Sequence, residues 1–250
     1  MLKIISTGLL LYALACIVLY TKQRSLLYFP TPENFNALAE AWWFETNEVK
    51  LKIWKINQGE KAILYFGGNA EAVEGNLDSF KKMFGGYSVY LVNYRGFGGS
   101  TGQPTEQGLN QDALALYDEL ITQHTSISVI GRSLGSGLAC YLAANREIHK
   151  LALITPYDSI KNLAQSLYPL FPVKWLIKDH FDSLLIAPSL SNDTLILLAE
   201  KDEVIPLKHS QLLINALGGT RLQTHTIRGA NHNDISALPV TQQLLSGFMQ

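Results

Sequence analysis

The chain has 250 residues, 47% of them hydrophobic and 16% charged, with a formal net charge of -1. That length suits one domain with a sizeable core and no need of a disulfide or metal staple. The near-neutral balance gives no footing for nucleic acid or a strongly charged partner, and two cysteines, Cys16 and Cys140, make no disulfide framework.

The first element is apolar. Ile4–Tyr20 holds seventeen residues without a charge, about 25 Å of helix and at the short end of what crosses a bilayer. A transmembrane signal anchor over residues 1–22 is the expectation, followed by one domain over 23–250. Three alternatives stay open: a cleaved signal peptide using Ala13 and Ala15, a lipoprotein signal at Cys16, and a helix packed on the domain. Lys3 and the amino terminus roughly balance Lys22 and Arg24, so the positive-inside rule leaves the membrane side undecided, leaning to a domain outside the cytoplasm.

Beyond Gln23, β-branched runs alternate with helical patterns. Val49–Ile56 alternates apolar and polar, as a half-buried edge strand would. Buried strands are predicted at Ala62–Phe66, Ser88–Asn93, Ile127–Gly131, Leu151–Ile154 and Thr194–Ala199, and a further strand at Leu222–Ile227. Helices are predicted at Glu74–Met83, Thr105–Gln123, Leu134–Asn145, Lys208–Leu217 and Pro239–Phe248. This alternation implies an α/β fold with a mainly parallel sheet flanked by helices on both faces. Residues 160–187 interrupt the rhythm with aromatics and prolines and read as a small helical cap, with an extended crossover helix as the alternative.

Gly131-Arg132-Ser133-Leu134-Gly135 matches G-x-S-x-G between a predicted strand and a predicted helix, the setting of a nucleophile elbow. Glycines at 131 and 135 relieve a tight turn, and Gly137 is expected to let the helix approach the sheet. A serine hydroxyl needs a base. His232 lies in the polar loop Arg228–Asp234 after the last strand; His225 and His209 read as surface or structural residues. The acid should sit after an earlier strand, and Asp202 in Ala199–Pro206 is the choice. Glu200 and Glu203 are its rivals, and Asp182 and Asp193 fit less well. Two backbone N–H groups should receive the developing oxyanion: that of Leu134, after the nucleophile, and that of Asn69 in Phe66-Gly67-Gly68-Asn69-Ala70. Asn93–Ser100 lacks dinucleotide-loop spacing, and Arg95 is expected to bond backbone carbonyls there. No ligand cluster suggests a metal, and no cofactor is implied.

Five stretches together resemble the Bem46-like branch of the α/β-hydrolases, which holds the ABHD13- and ABHD17-type proteins. They are Ser25–Pro30, Phe66–Ala70, Asn93–Gly98, Gly131–Gly135, and Lys201–Pro206 with Gly229–Asp234; Phe181–Leu184 in the cap is similar too. The resemblance implies the α/β-hydrolase fold, a Ser133, Asp202, His232 triad, a membrane anchor, and thioesterase or lipid-esterase activity. The chain departs at the oxyanion loop, carrying Gly67-Gly68-Asn69 where the family usually has His-Gly-Asn. The expected substrates are acyl esters or thioesters near a membrane. Two alternatives are a peptidase or amidase on the same triad, with Glu71 or Glu74 receiving a substrate amine, and a non-catalytic tethered scaffold. A dehalogenase is disfavoured, since it would carry Asp at position 133.

Overall fold

The computed structural model describes residues 2–35, 39–46, 49–218 and 221–250. The first helix, α1 (Leu2–Leu27), runs unbroken past residue 22 and is solvent-facing over most of its length. Its segment Lys3–Leu27, whose most apolar 18 residues have mean hydropathy 2.1, is long and apolar enough to cross a membrane.

Among the described residues eight strands form one sheet: β1 (Glu40–Thr46), β2 (Val49–Ile56), β3 (Lys61–Phe66), β4 (Tyr87–Val92), β5 (Ser126–Arg132), β6 (Lys150–Ile154), β7 (Asp193–Lys201) and β8 (Leu222–Asn231). Their order is β1-β2-β4-β3-β5-β6-β7-β8. β1 and β2 are antiparallel to their neighbours, and every pair from β4 to β8 is parallel. The parallel α/β architecture expected from the sequence is thus the observed one. One expectation is corrected: Val49–Ile56 is not an edge strand. β1 covers its outer side and β4 its inner side, which is why six of its eight residues are buried rather than every second one.

The connecting helices are α2 (Leu77–Met83), α3 (Glu106–Leu120), α4 (Leu134–Asn145), α8 (Leu207–Ala216) and α9 (Pro239–Met249). The Thr105 hydroxyl caps α3 by accepting the Gly108 N–H at 3.0 Å. Strand alternation sorts the core into two layers. Leu64 and Phe66 of β3 face the α3, α4 and α8 side, while Ile63 and Tyr65 face the α2 and α9 side. Between β6 and β7 the predicted cap consists of α5 (Ile160–Leu167), α6 (Val173–Leu176) and α7 (Ser183–Ile186).

The topology positions the site. From β3 the chain moves outward to β4, then returns to β5 on the other side of β3. The carboxyl ends of β3 and β5 therefore lie side by side at the switch point, with Phe66 opposite Gly131. β7 and β8 end together further along, with Lys201 opposite Asn231.

Candidate active site

Ser133 sits between β5 and α4 with φ 49° and ψ −116°, a region L-residues rarely occupy. The strain is held from several sides. The Ser133 N–H donates to the Ile154 carbonyl at 2.9 Å, and its carbonyl accepts the Ser136 N–H and hydroxyl. Close packing requires glycine on either side: a Cβ at Gly135 would strike the Phe66 carbonyl oxygen, and one at Gly131 would press on the Gly135 carbonyl and Ala139. Gly137 serves a different neighbour from the one expected, since a Cβ there would meet Tyr157 and Phe181 rather than the sheet.

The three residues picked out by motif and order meet in space. Ser133 Oγ is 2.9 Å from His232 Nε2. His232 Nδ1 is 2.9 Å and 3.0 Å from the two Asp202 carboxylate oxygens. This network sets the tautomer, with Nδ1–H donated to Asp202 and Nε2 accepting from Ser133. Asp202 Oδ1 also accepts the N–H groups of Val204 and Ile205 at 3.0 and 2.7 Å, which orients the carboxylate. The His232 loop is tied by Asp234, which accepts from the Asn231 N–H at 2.8 Å and side-chain amide at 3.0 Å.

The rival acids are engaged elsewhere or face solvent. Glu200 accepts the Gly229 N–H, Asp182 pairs with Lys161, Asp193 pairs with Arg221, and Glu203 is exposed. His225 lies within β8. His209 is buried rather than at the surface, 2.7 Å from Asp158 and 3.2 Å from the Ser166 hydroxyl.

The Asn69 and Leu134 N–H groups meet no protein acceptor among the described residues. Leu134 opens α4, where an N–H has no intrahelical partner and the helix dipole favours negative charge. The Asn69 side chain ties its loop to the end of α1, donating to the Leu27 carbonyl at 2.6 Å and accepting the Phe29 N–H at 3.0 Å. The Tyr94 hydroxyl donates to the Gly67 carbonyl at 2.6 Å. Burial, reinforced by the Glu71 charge, pushes that hydroxyl well above its ordinary pKa, so it stays a donor.

One network was not visible in the sequence. Arg132, the unspecified position before the serine in G-x-S-x-G, is buried and donates to Glu71 at 2.7 Å and to the His232 carbonyl at 3.0 Å. Glu71 in turn accepts from the Gly68 N–H at 2.5 Å, the Tyr65 hydroxyl at 2.6 Å and the Asn76 amide at 2.7 Å. Burial alone would raise the Glu71 carboxyl; Arg132 and these donors outweigh it and hold the carboxyl below its usual range. The pair thus joins the Gly67–Asn69 loop, the serine turn and the histidine loop. Glu71 is spent in this network and is not free to receive a substrate amine, while Glu74 accepts from the Asn34 amide at one oxygen. Arg95 is also corrected: it forms a two-pronged ion pair with Asp112 at 2.7 and 2.6 Å instead of bonding backbone carbonyls.

The family model described as "alpha/beta hydrolase fold" matches residues 61–179. An uncharacterized protein of Mycobacterium tuberculosis is 30% identical over 86% of this chain and 82% of its own. Protein bem46 of Schizosaccharomyces pombe is 28% identical over 92% and 87%. The lysophosphatidylserine lipase ABHD12 of Bos taurus is 28% identical over 89% of this chain and 66% of its own length. Among solved structures, the Pyrococcus furiosus esterase Pf2001 superimposes with a TM-score of 0.72 at 20% identity, covering 89% of this chain and 97% of that one, which is a likeness of fold. The chain belongs to the α/β-hydrolase family, in its Bem46/ABHD branch.

Proposed function

We propose that the chain is a serine hydrolase of carboxylic esters or thioesters, acting through an acyl-enzyme on acyl-chain or lipid-like substrates at a membrane. The observation that carries this is the hydrogen-bond chain from Ser133 Oγ through His232 to Asp202, at 2.9 Å for each link. In this reading Ser133 Oγ attacks the substrate carbonyl carbon while His232 Nε2 takes the hydroxyl proton. Asp202 stabilises the imidazolium. The Asn69 and Leu134 N–H groups receive the oxyanion; each such donor is typically worth about 10²–10³ in turnover. Collapse breaks the bond to the leaving oxygen or sulfur, which takes the proton from His232. A water, deprotonated by the same imidazole, then releases the acid and restores Ser133.

The lipase named among the relatives supports a lipid-like substrate. The apolar length of α1 supports an anchor over residues 1–22 and a catalytic domain over 23–250. The amidase alternative loses one of its two suggested amine receptors, because Glu71 is paired with Arg132. The test is hydrolysis by the full chain of p-nitrophenyl esters and acyl thioesters against aminoacyl anilides, with Ser133→Ala as control. Esters or thioesters should be preferred, and a preference for anilides would overturn the reading.

A further inference from the structure

An apolar cleft of about 220 Å³ lies between α1 and the cap. Leu19, Leu26 and Leu27 of α1 form one wall; Leu163, Phe171 and Leu176 of the cap form the other. These walls are joined along their length. At the base, Arg24 pairs with Asp179 at 2.9 Å, and Gln23 accepts the Lys178 N–H at 2.6 Å. Further along α1, the Tyr12 hydroxyl donates to the Leu170 carbonyl at 2.8 Å. The Tyr12 ring stacks on Phe171, with centroids 5.7 Å apart and planes 3° apart.

That second contact fixes a depth. Tyr12 lies ten residues before Lys22, so the cap tip meets α1 about 15 Å beyond the first charge at that end. If α1 crosses a bilayer whose hydrocarbon layer is about 30 Å thick, the tip reaches close to its middle. We propose that the cap tip is immersed in the leaflet beside α1, and that the cleft between them takes one acyl chain of a bilayer lipid. This rests on the proposed roles of Ser133 and of α1.

Three features of the tip suit hydrocarbon. Its exposed residues Leu170 and Trp175 are 81% and 88% exposed, and Leu167 at the mouth of the cleft is 60% exposed, a density of large apolar side chains unfavourable in water. Its irregular backbone is capped from within, as a non-helical segment at membrane depth must be. Leu170 O is met by Tyr12, Phe171 O by the Gln165 amide at 3.0 Å and Leu176 O by the Gln23 amide at 3.1 Å. Between Leu163 and Ile177 the sequence holds one charge, Lys174, whose stem is long enough to carry its ammonium towards the headgroups. The cleft adjoins the oxyanion loop at Leu27, whose carbonyl is hydrogen-bonded to the Asn69 side chain.

The test uses the full chain in phosphatidylcholine vesicles. Lipids brominated at mid-chain should quench tryptophan emission more in the parent than in Trp175→Phe; equal quenching overturns immersion of the tip. Separately, Ala164→Trp, or the more exposed Leu167→Trp should the first not fold, fills the cleft. Either should lower the ratio of kcat/KM for p-nitrophenyl palmitate over acetate about tenfold, the effect of losing burial of about two methylenes. An unchanged ratio, with acetate hydrolysis still lost in Ser133→Ala, overturns the acyl site and leaves the serine-hydrolase reading standing. Acetate hydrolysis that survives Ser133→Ala overturns that reading and the acyl site with it, while the quenching still reports on the cap.

Discussion

Asp202 uses one carboxylate for two tasks: Oδ1 accepts two N–H groups of its own loop, and both oxygens face His232 Nδ1. Asp202→Asn keeps an oxygen for the loop but offers the imidazole a donor. It should therefore fold normally and lose about 10⁴ in kcat, through the wrong histidine tautomer. Matched unfolding curves beside steady-state rates check this. Glu71 acts differently. Its folded pKa lies below its ordinary value, so its contribution to stability is present above the unfolded pKa of about 4 and is lost as pH falls through the folded one. Glu71→Gln leaves Arg132 buried without its counter-charge, which should cost about 3 kcal/mol at neutral pH. Denaturant midpoints at pH 7 and pH 3 should fall further for the parent than for the variant. Ser133, Asp202 and His232 were legible in the sequence because motif, strand ends and chain order all constrain them. The Glu71–Arg132 and Arg95–Asp112 pairs were not, because they join positions 61 and 17 residues apart. No local pattern selects such a partner; the fold does.

At the scale of elements, the serine turn is a junction of three pieces of backbone. The Gly135 N–H donates to the Gly67 carbonyl at 3.2 Å, and a Cβ at 135 would strike the end of β3. Gly135→Ala must therefore part α4 from β3 at the oxyanion loop. Overpacking of this kind costs about 1–3 kcal/mol, so the variant should melt lower and lose turnover even where it folds. The strands from β3 to β8 were readable as short apolar or alternating runs between helical patterns, and α4 matched to the residue. β1 was not readable: Trp42, Trp43 and Phe44 follow one another without alternation, and their strand identity comes from pairing with β2. That pairing also removed β2 from the edge.

At the scale of the whole molecule, α1 is tied to the rest of the chain at its end and along the cap. Asn69 fastens its end to the oxyanion loop, and Asp179 joins Arg24 to the first turn of α3, where it also accepts the Glu106 N–H. A composition-based boundary at residue 22 treats the helix as a tether. The contacts of Tyr12, Gln23 and Arg24 make it a wall of the cap as well, a role that hydropathy does not encode. The proposed chemistry depends on Ser133 being the group that attacks. The direct test is fluorophosphonate treatment of the active full-length chain, followed by mapping of the labelled residue. A single covalent adduct on Ser133 with parallel loss of ester hydrolysis is expected, and no labelling of Ser133→Ala. An active preparation whose Ser133 stays unlabelled would contradict it.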